Sequence, residues 1–128
     1  MPSIFTRIIN GEIPSIKVHE DDKTLAIMDI NPIQRGQILV LPKQEVATIW
    51  EMKNEDYLAL MQCVQQAGQS LQKIFPKKKV GVMIEGLEVT DHAHVKVFPF
   101  ANVSEYHATP SVQPDCKELE ELAHKLAF

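Results

Sequence analysis

The sequence predicts an α+β domain: an antiparallel sheet of about five strands, one long central helix, a short N-terminal helix and a C-terminal helix. Three observations carry this prediction. Short aliphatic or alternating runs lie both before and after one long stretch of helical period. Proline and glycine separate those runs at turn positions. The strands are grouped rather than each followed by a helix, which argues against parallel βαβ winding.

The elements follow in order. Ser3 can cap a short helix over Ile4 to Asn10, with Phe5, Ile8 and Ile9 on one side and Gly11 and Pro14 ending it. Ile16 to Glu20 and Thr24 to Ile30 alternate around an Asp21-Asp22 turn and read as a hairpin. Gln37 to Leu41 is a central strand closed by Pro42. A short helix fits within Gln44 to Met52, and Asn54 is the expected cap of a long one reaching Phe75. In that long helix Tyr57, Leu60, Met61, Val64, Ala67, Gly68, Leu71, Ile74 and Phe75 form one apolar stripe, which is core rather than a cofactor site. Pro76 stops it, Lys77 to Lys79 make a solvated turn, and Val80 to Ile84 is the next strand. The histidine strand beginning at His92 comes after the loop from Glu85 to Asp91. An irregular segment with Pro110 and Pro114 leads to a last helix, capped by Asp115 with Glu118 three residues on, whose buried side is Leu119, Leu122, Ala123 and Leu126.

Bulk properties narrow the function. With 128 residues and 45% hydrophobic content, residues 1–128 are expected to form a single domain. A net charge of −4 gives no general attraction to nucleic acid or anionic membrane, so any anion binding must be local and a small ligand is favoured. The N-terminus lacks a basic leader with a long apolar core, and no apolar run could span a bilayer, so a soluble, unexported, cytoplasmic protein is expected. Cys63 and Cys116 do not make a disulfide scaffold and are expected to be packing thiols. An antiparallel sheet with exposed edges makes a homodimer a reasonable expectation.

The chemistry concentrates in His92-Ala93-His94-Val95-Lys96-Val97-Phe98-Pro99. On a strand, His92, His94 and Lys96 share one face, about 6.6 Å apart at roughly 3.3 Å rise per residue, while Ala93, Val95 and Val97 share the other. A lone strand histidine is usually structural, but three nitrogen groups on one face need a partner. Zinc is one candidate for His-x-His, yet Lys96 would repel a divalent ion and neither cysteine is near in sequence, so no metal and no cofactor are expected. An anion suits the row better. A neutral imidazole can attack phosphorus, a second can hold or transfer a proton, and an ammonium can neutralise charge on phosphoryl oxygens. The loop before His92, with the Thr90 hydroxyl, is placed to reach the same anion.

Four segments in order, Ile4-Phe5-Thr6-Arg7-Ile8-Ile9, Leu25 to Pro32, Gly36 to Lys43, and His92-Ala93-His94-Val95, resemble the histidine triad (HIT) nucleotide-binding family across roughly Ile4 to Pro99. The resemblance implies a purine nucleotide as ligand and hydrolase or transferase chemistry at its α-phosphate. By analogy His94 is the nucleophile that forms a nucleotidyl-histidine, His92 assists near the phosphate or orients the site, and Asp29 holds the ribose hydroxyls. Phe5, Ile8, Ile27, Ile30 and Leu39 would line the base pocket. Gln37 and Thr90 complete the nucleotide-binding candidates. The sequence departs from the family pattern where Lys96 replaces the third histidine, where Gln37 stands at a position that is commonly histidine, and near Ile84, which is often asparagine. Lys96 keeps a positive charge, which supports a working enzyme. The same changes also motivate a second reading, a nucleotide-binding module without efficient catalysis.

Overall fold

The computed structural model describes residues 2–84, 92–110 and 113–128. Its elements are α1 (Ile4–Ile9), β1 (Lys17–Glu20), β2 (Thr24–Met28), β3 (Ile38–Pro42), a 3-10 turn (Ile49–Glu51), α2 (Asn54–Ile74), β4 (Lys79–Ile84), β5 (Val95–Phe100), α3 (Val103–Tyr106) and α4 (Cys116–Leu126). The five strands form one antiparallel sheet in the order β1-β2-β3-β5-β4. The fold is α+β, as the grouped strands and single long helix require.

Alternation explains how the sheet is covered. In β2 all five residues are buried because both faces are occupied. Ala26 and Met28, with Ile38 and Val40 of β3 and Val95 and Val97 of β5, face the main core against Leu60, Val64, Ala67 and Leu71 of α2 and Leu119, Leu122 and Leu126 of α4. Leu25, Ile27, Leu39 and Leu41 face the other way and form a smaller cluster with Phe5, against which Ile8 and Ile9 of α1 pack. Burying each of the large aliphatic side chains contributes about 1.5–3 kcal/mol, so the α2 face holds most of the stability and the α1 face is the thinner cover.

Several local expectations are corrected. Lys53, not Asn54, occupies the N-cap position of α2 and makes no side-chain cap bond; Glu55 and Asp56 in the first turn complement the helix dipole instead. Tyr57 belongs to the expected stripe yet is exposed, while Cys63 lies outside that stripe and is buried. Cys116 is exposed, because the first position of α4 points away from that helix's buried side. Asp115 caps α4 through the Glu118 N–H, but the Glu118 carboxylate turns to Arg35 rather than completing a capping box. The irregular segment after β5 contains α3, a four-residue helix capped by Asn102 and too short to register as periodicity. Gly36 is required between β2 and β3: its φ is +95°, and a Cβ there would lie 2.8 Å from the Phe75 ring.

The histidine segment also differs from expectation. The strand begins at Val95, and His92 to His94 precede it. Pairing with β3 ends at Val40↔Val95. Beyond it the Ala93 N–H is taken by the Val46 carbonyl at 2.7 Å, so the chain is held there by the segment after β3 instead of by a sheet partner.

Candidate active site

Lys96 pairs with Leu39 on β3 and Met83 on β4, which puts it on the sheet face of the smaller cluster, and it is 3% exposed. His92 and His94 are 0% and 1% exposed. The polar row of the sequence is therefore a buried row. The Phe5 ring stands edge-on to both imidazoles, with centroids 5.8 Å from His92 and 5.1 Å from His94.

Hydrogen bonding fixes which nitrogen of each ring donates. The His94 Nδ1 lies 3.0 Å from the His92 carbonyl oxygen. A carbonyl only accepts, so Nδ1 carries a proton, and in the neutral ring Nε2 presents the lone pair. That Nε2 is buried and has no hydrogen-bond partner among the described residues. Leaving such an atom desolvated costs about 1–3 kcal/mol, a cost that a folded chain sustains most readily where the atom has a task.

The His92 ring is occupied on both sides. Its Nε2 lies 2.8 Å from the Pro42 carbonyl and must donate; its Nδ1 then accepts, with the Ser3 hydroxyl at 2.8 Å. Burial lowers the pKa of His92, and the neighbouring His94 lowers it further, against the opposing influence of the Pro42 carbonyl and Glu45. The ring is thus neutral at pH 7. Its proton balance also predicts a stability change. Between the depressed folded pKa and the unfolded value of about 6.5, the unfolded chain binds a proton that the folded chain does not, so stability rises with pH through that window. It is fully present above about pH 6.5 and declines as the pH falls below it. Urea midpoints measured from pH 7.5 to 5 should fall more steeply for the native chain than for a His92→Gln variant; parallel slopes would refute a depressed His92.

A cleft of about 560 Å³, a size suited to a small ligand, reaches this row through Phe5, which touches both imidazoles, and Leu39, the partner of Lys96; His92, His94 and Lys96 do not themselves line it. Phe5 and Ile8 of α1 form one wall, Ile27, Asp29 and Ile30 at the end of β2 another, and Leu39 the floor; all six line it. Asp29 is 7% exposed, accepting the Asn31 N–H at 2.8 Å and the Gln37 side-chain amide at 2.6 Å. Gln37 in turn accepts the Ile33 N–H. It is buried and does not line the cleft; its amide holds the Asp29 carboxylate. Thr90 lies outside the described residues. Among those described, no group of three His, Cys, Asp or Glu side chains could hold a metal ion.

Two sets of residues were not singled out by sequence reasoning as part of the site. Cys116 and Glu120 of α4 line the cleft, the thiol donating to the carboxylate at 3.4 Å, and that carboxylate pushes the thiol pKa up. Ser3 was legible only as a helix cap, and Glu45, which accepts from the Ser3 N–H and the Thr6 hydroxyl, carried no local signal at all.

Residues 10–103 match the HIT domain. An uncharacterized HIT-like protein of Borreliella burgdorferi is 35% identical over 103 residues, which cover 75% of this chain and 73% of that protein. An adenosine 5′-monophosphoramidase of Schizosaccharomyces pombe is 30% identical over 105 residues, covering 80% and 77%. Among solved structures, a HIT-like protein involved in cell-cycle regulation from Bartonella henselae superposes with a TM-score of 0.87 at 30% identity, covering 97% of this chain and 93% of that one.

Proposed function

The chain belongs to the HIT family, and from that premise we propose that it is a nucleotide hydrolase or nucleotidyltransferase acting at the α-phosphate of a purine nucleotide derivative through a nucleotidyl-histidine on His94. The observation that carries this reading is the His94 Nε2 atom, buried and without a hydrogen-bond partner among the described residues while Nδ1 is anchored. In the first step Nε2 attacks the α-phosphorus, an N–P bond forms, and the bond to the leaving group breaks with its electron pair on that group. Water or another acceptor then attacks phosphorus, an O–P bond forms as the N–P bond breaks, the proton passes to solvent, and Nε2 recovers its lone pair. The Lys96 ammonium stabilises charge on the phosphoryl or leaving-group oxygens.

His92 orients rather than transfers a proton, since both ring nitrogens are engaged within the chain. Phe5, Ile8, Ile27, Ile30 and Leu39 receive the base, and Asp29, steadied by Gln37, receives the ribose hydroxyls. The monophosphoramidase name of the yeast relative supports a phosphorus–nitrogen leaving group as the first to try. Incubation with adenosine and guanosine phosphoramidates and dinucleotides, followed by product chromatography and intact mass of the acid-free quenched protein, tests the reading. Product together with a transient nucleotidyl adduct is expected. Nucleotide retention with neither product nor adduct would replace it with the binding-module reading, which the departures at Gln37, Ile84 and Lys96 favour.

The working form is proposed to be a cytoplasmic homodimer. Val82 and Ile84, 42% and 39% exposed, lie on β4 at the edge of the sheet, an apolar strand edge suited to pairing with its own copy. Sedimentation equilibrium should give twice the chain mass; a monomer mass would reject the pairing.

A further inference from the structure

We propose that Ser3 is a positioning residue for His92, its hydroxyl acting at once as the cap of α1 and as the hydrogen-bond donor that holds the His92 ring in its neutral, Nε2-protonated form. A serine hydroxyl has one proton and two lone pairs. Here the lone-pair side accepts the Thr6 N–H at 3.0 Å, which closes the first turn of α1. The proton goes to His92 Nδ1 at 2.8 Å, because the opposite ring nitrogen is committed as donor to the Pro42 carbonyl. Thr6 Oγ1 also approaches Nδ1, at 3.3 Å, but its proton is drawn to Glu45 at 2.7 Å. The Ser3 hydroxyl also lies 3.3 Å from Thr6 Oγ1, but its 2.8 Å contact with Nδ1 is the shorter, so among the described residues Ser3 is left as the donor.

Glu45 completes the arrangement. The same carboxylate oxygen accepts the Ser3 N–H and the Thr6 hydroxyl, and those bonds hold its pKa below the usual carboxylate range. It therefore clamps the start of α1 to the chain just beyond Pro42, whose carbonyl takes the other side of the His92 ring. Among the described residues, the titratable groups that act on that ring are Glu45, which favours its cation, and His94, which opposes it.

The consequence reaches the reacting atom through the backbone. The His92 carbonyl accepts from His94 Nδ1, so the setting of His92 sets the direction of the His94 lone pair. Helix α1 meanwhile carries Phe5 and Ile8 into the cleft, so one hydroxyl ties the base wall to the histidine pair. A catalytic effect of Ser3 rests on the nucleotidyl-histidine reading above; the ring state of His92 does not.

Two substitutions separate capping from donation. Ser3→Asp keeps an excellent N-cap but offers a carboxylate, which cannot donate to Nδ1 and instead draws a proton onto it. Ser3→Thr keeps both properties. Long-range proton–nitrogen NMR of the imidazoles should show the Nε2–H tautomer of His92 in the native chain and in Ser3→Thr, and an imidazolium at pH 7 in Ser3→Asp. Turnover on whichever phosphoramidate is the best substrate should fall about tenfold or more in Ser3→Asp with little change in KM, and should be retained in Ser3→Thr. An unchanged His92 ring in Ser3→Asp would overturn the proposal and leave Ser3 a helix cap alone. If the native chain shows no turnover, the enzyme reading fails while the NMR result still decides the role of Ser3.

Discussion

Replacing His94 with Asn is expected to abolish both turnover and the nucleotidyl adduct, a loss of about a thousandfold or more, while nucleotide binding persists. The choice of asparagine matters. Its amide nitrogen can occupy the place of Nδ1 and still donate to the His92 carbonyl, so the local backbone keeps its partner. What disappears is Nε2, the atom whose lone pair has no other partner among the described residues. The folded state should tolerate the exchange, since removing a desolvated polar atom offsets part of the packing lost with the ring. Intact mass and single-turnover measurements check the expectation. An undiminished adduct in His94→Asn would move the nucleophile to another residue.

Lys96→Met is expected to reduce turnover by about a hundredfold, with nucleotide affinity much less affected. Methionine preserves the unbranched stem that lies between Leu39 and Met83, so the sheet face keeps its packing and only the ammonium is lost. A charge that stabilises oxygens as they become more negative acts mainly in the transition state, and its removal lowers kcat rather than raising KM. Substrates with a good leaving group should be less sensitive than those with a poor one if the lysine serves the departing oxygen or nitrogen. Turnover equal to that of the native chain would remove Lys96 from the chemistry.

The site was legible where local pattern and tertiary placement obey the same rule. Period-two alternation correctly grouped His92, His94 and Lys96 away from Val95 and Val97, even though the ladder starts only at Val95, because an extended chain alternates with or without a pairing partner. Ser3 as a cap and Asp115 as a cap are local chemistry and were equally readable. The bond from Ser3 to His92 spans 89 residues, and the Pro42 carbonyl reaches His92 across 50; neither has a sequence signature. Gln37 shows the same limit. Its position suggested a ligand contact, but only the approach of β2 to β3 reveals that its amide is directed at Asp29. Cys116 was misjudged because thiols are usually buried, whereas this one is set at the exposed start of a helix whose apolar face is Leu119, Leu122, Ala123 and Leu126.

Helix α4 lies beyond the end of the HIT domain match at residue 103, yet Cys116 and Glu120 form part of the cleft wall. Under the proposed function, bond breaking and substrate choice would then sit on separately replaceable parts. Lys96 lies on a central strand whose Val95 and Val97 belong to the main core, and His94 directly precedes that strand. The exposed side chains at positions 116 and 120 can be exchanged with little loss of packing. A chain of this design could be redirected from one nucleotide to another by altering those two positions, with the helix's core side and the proposed reacting histidine left as they are.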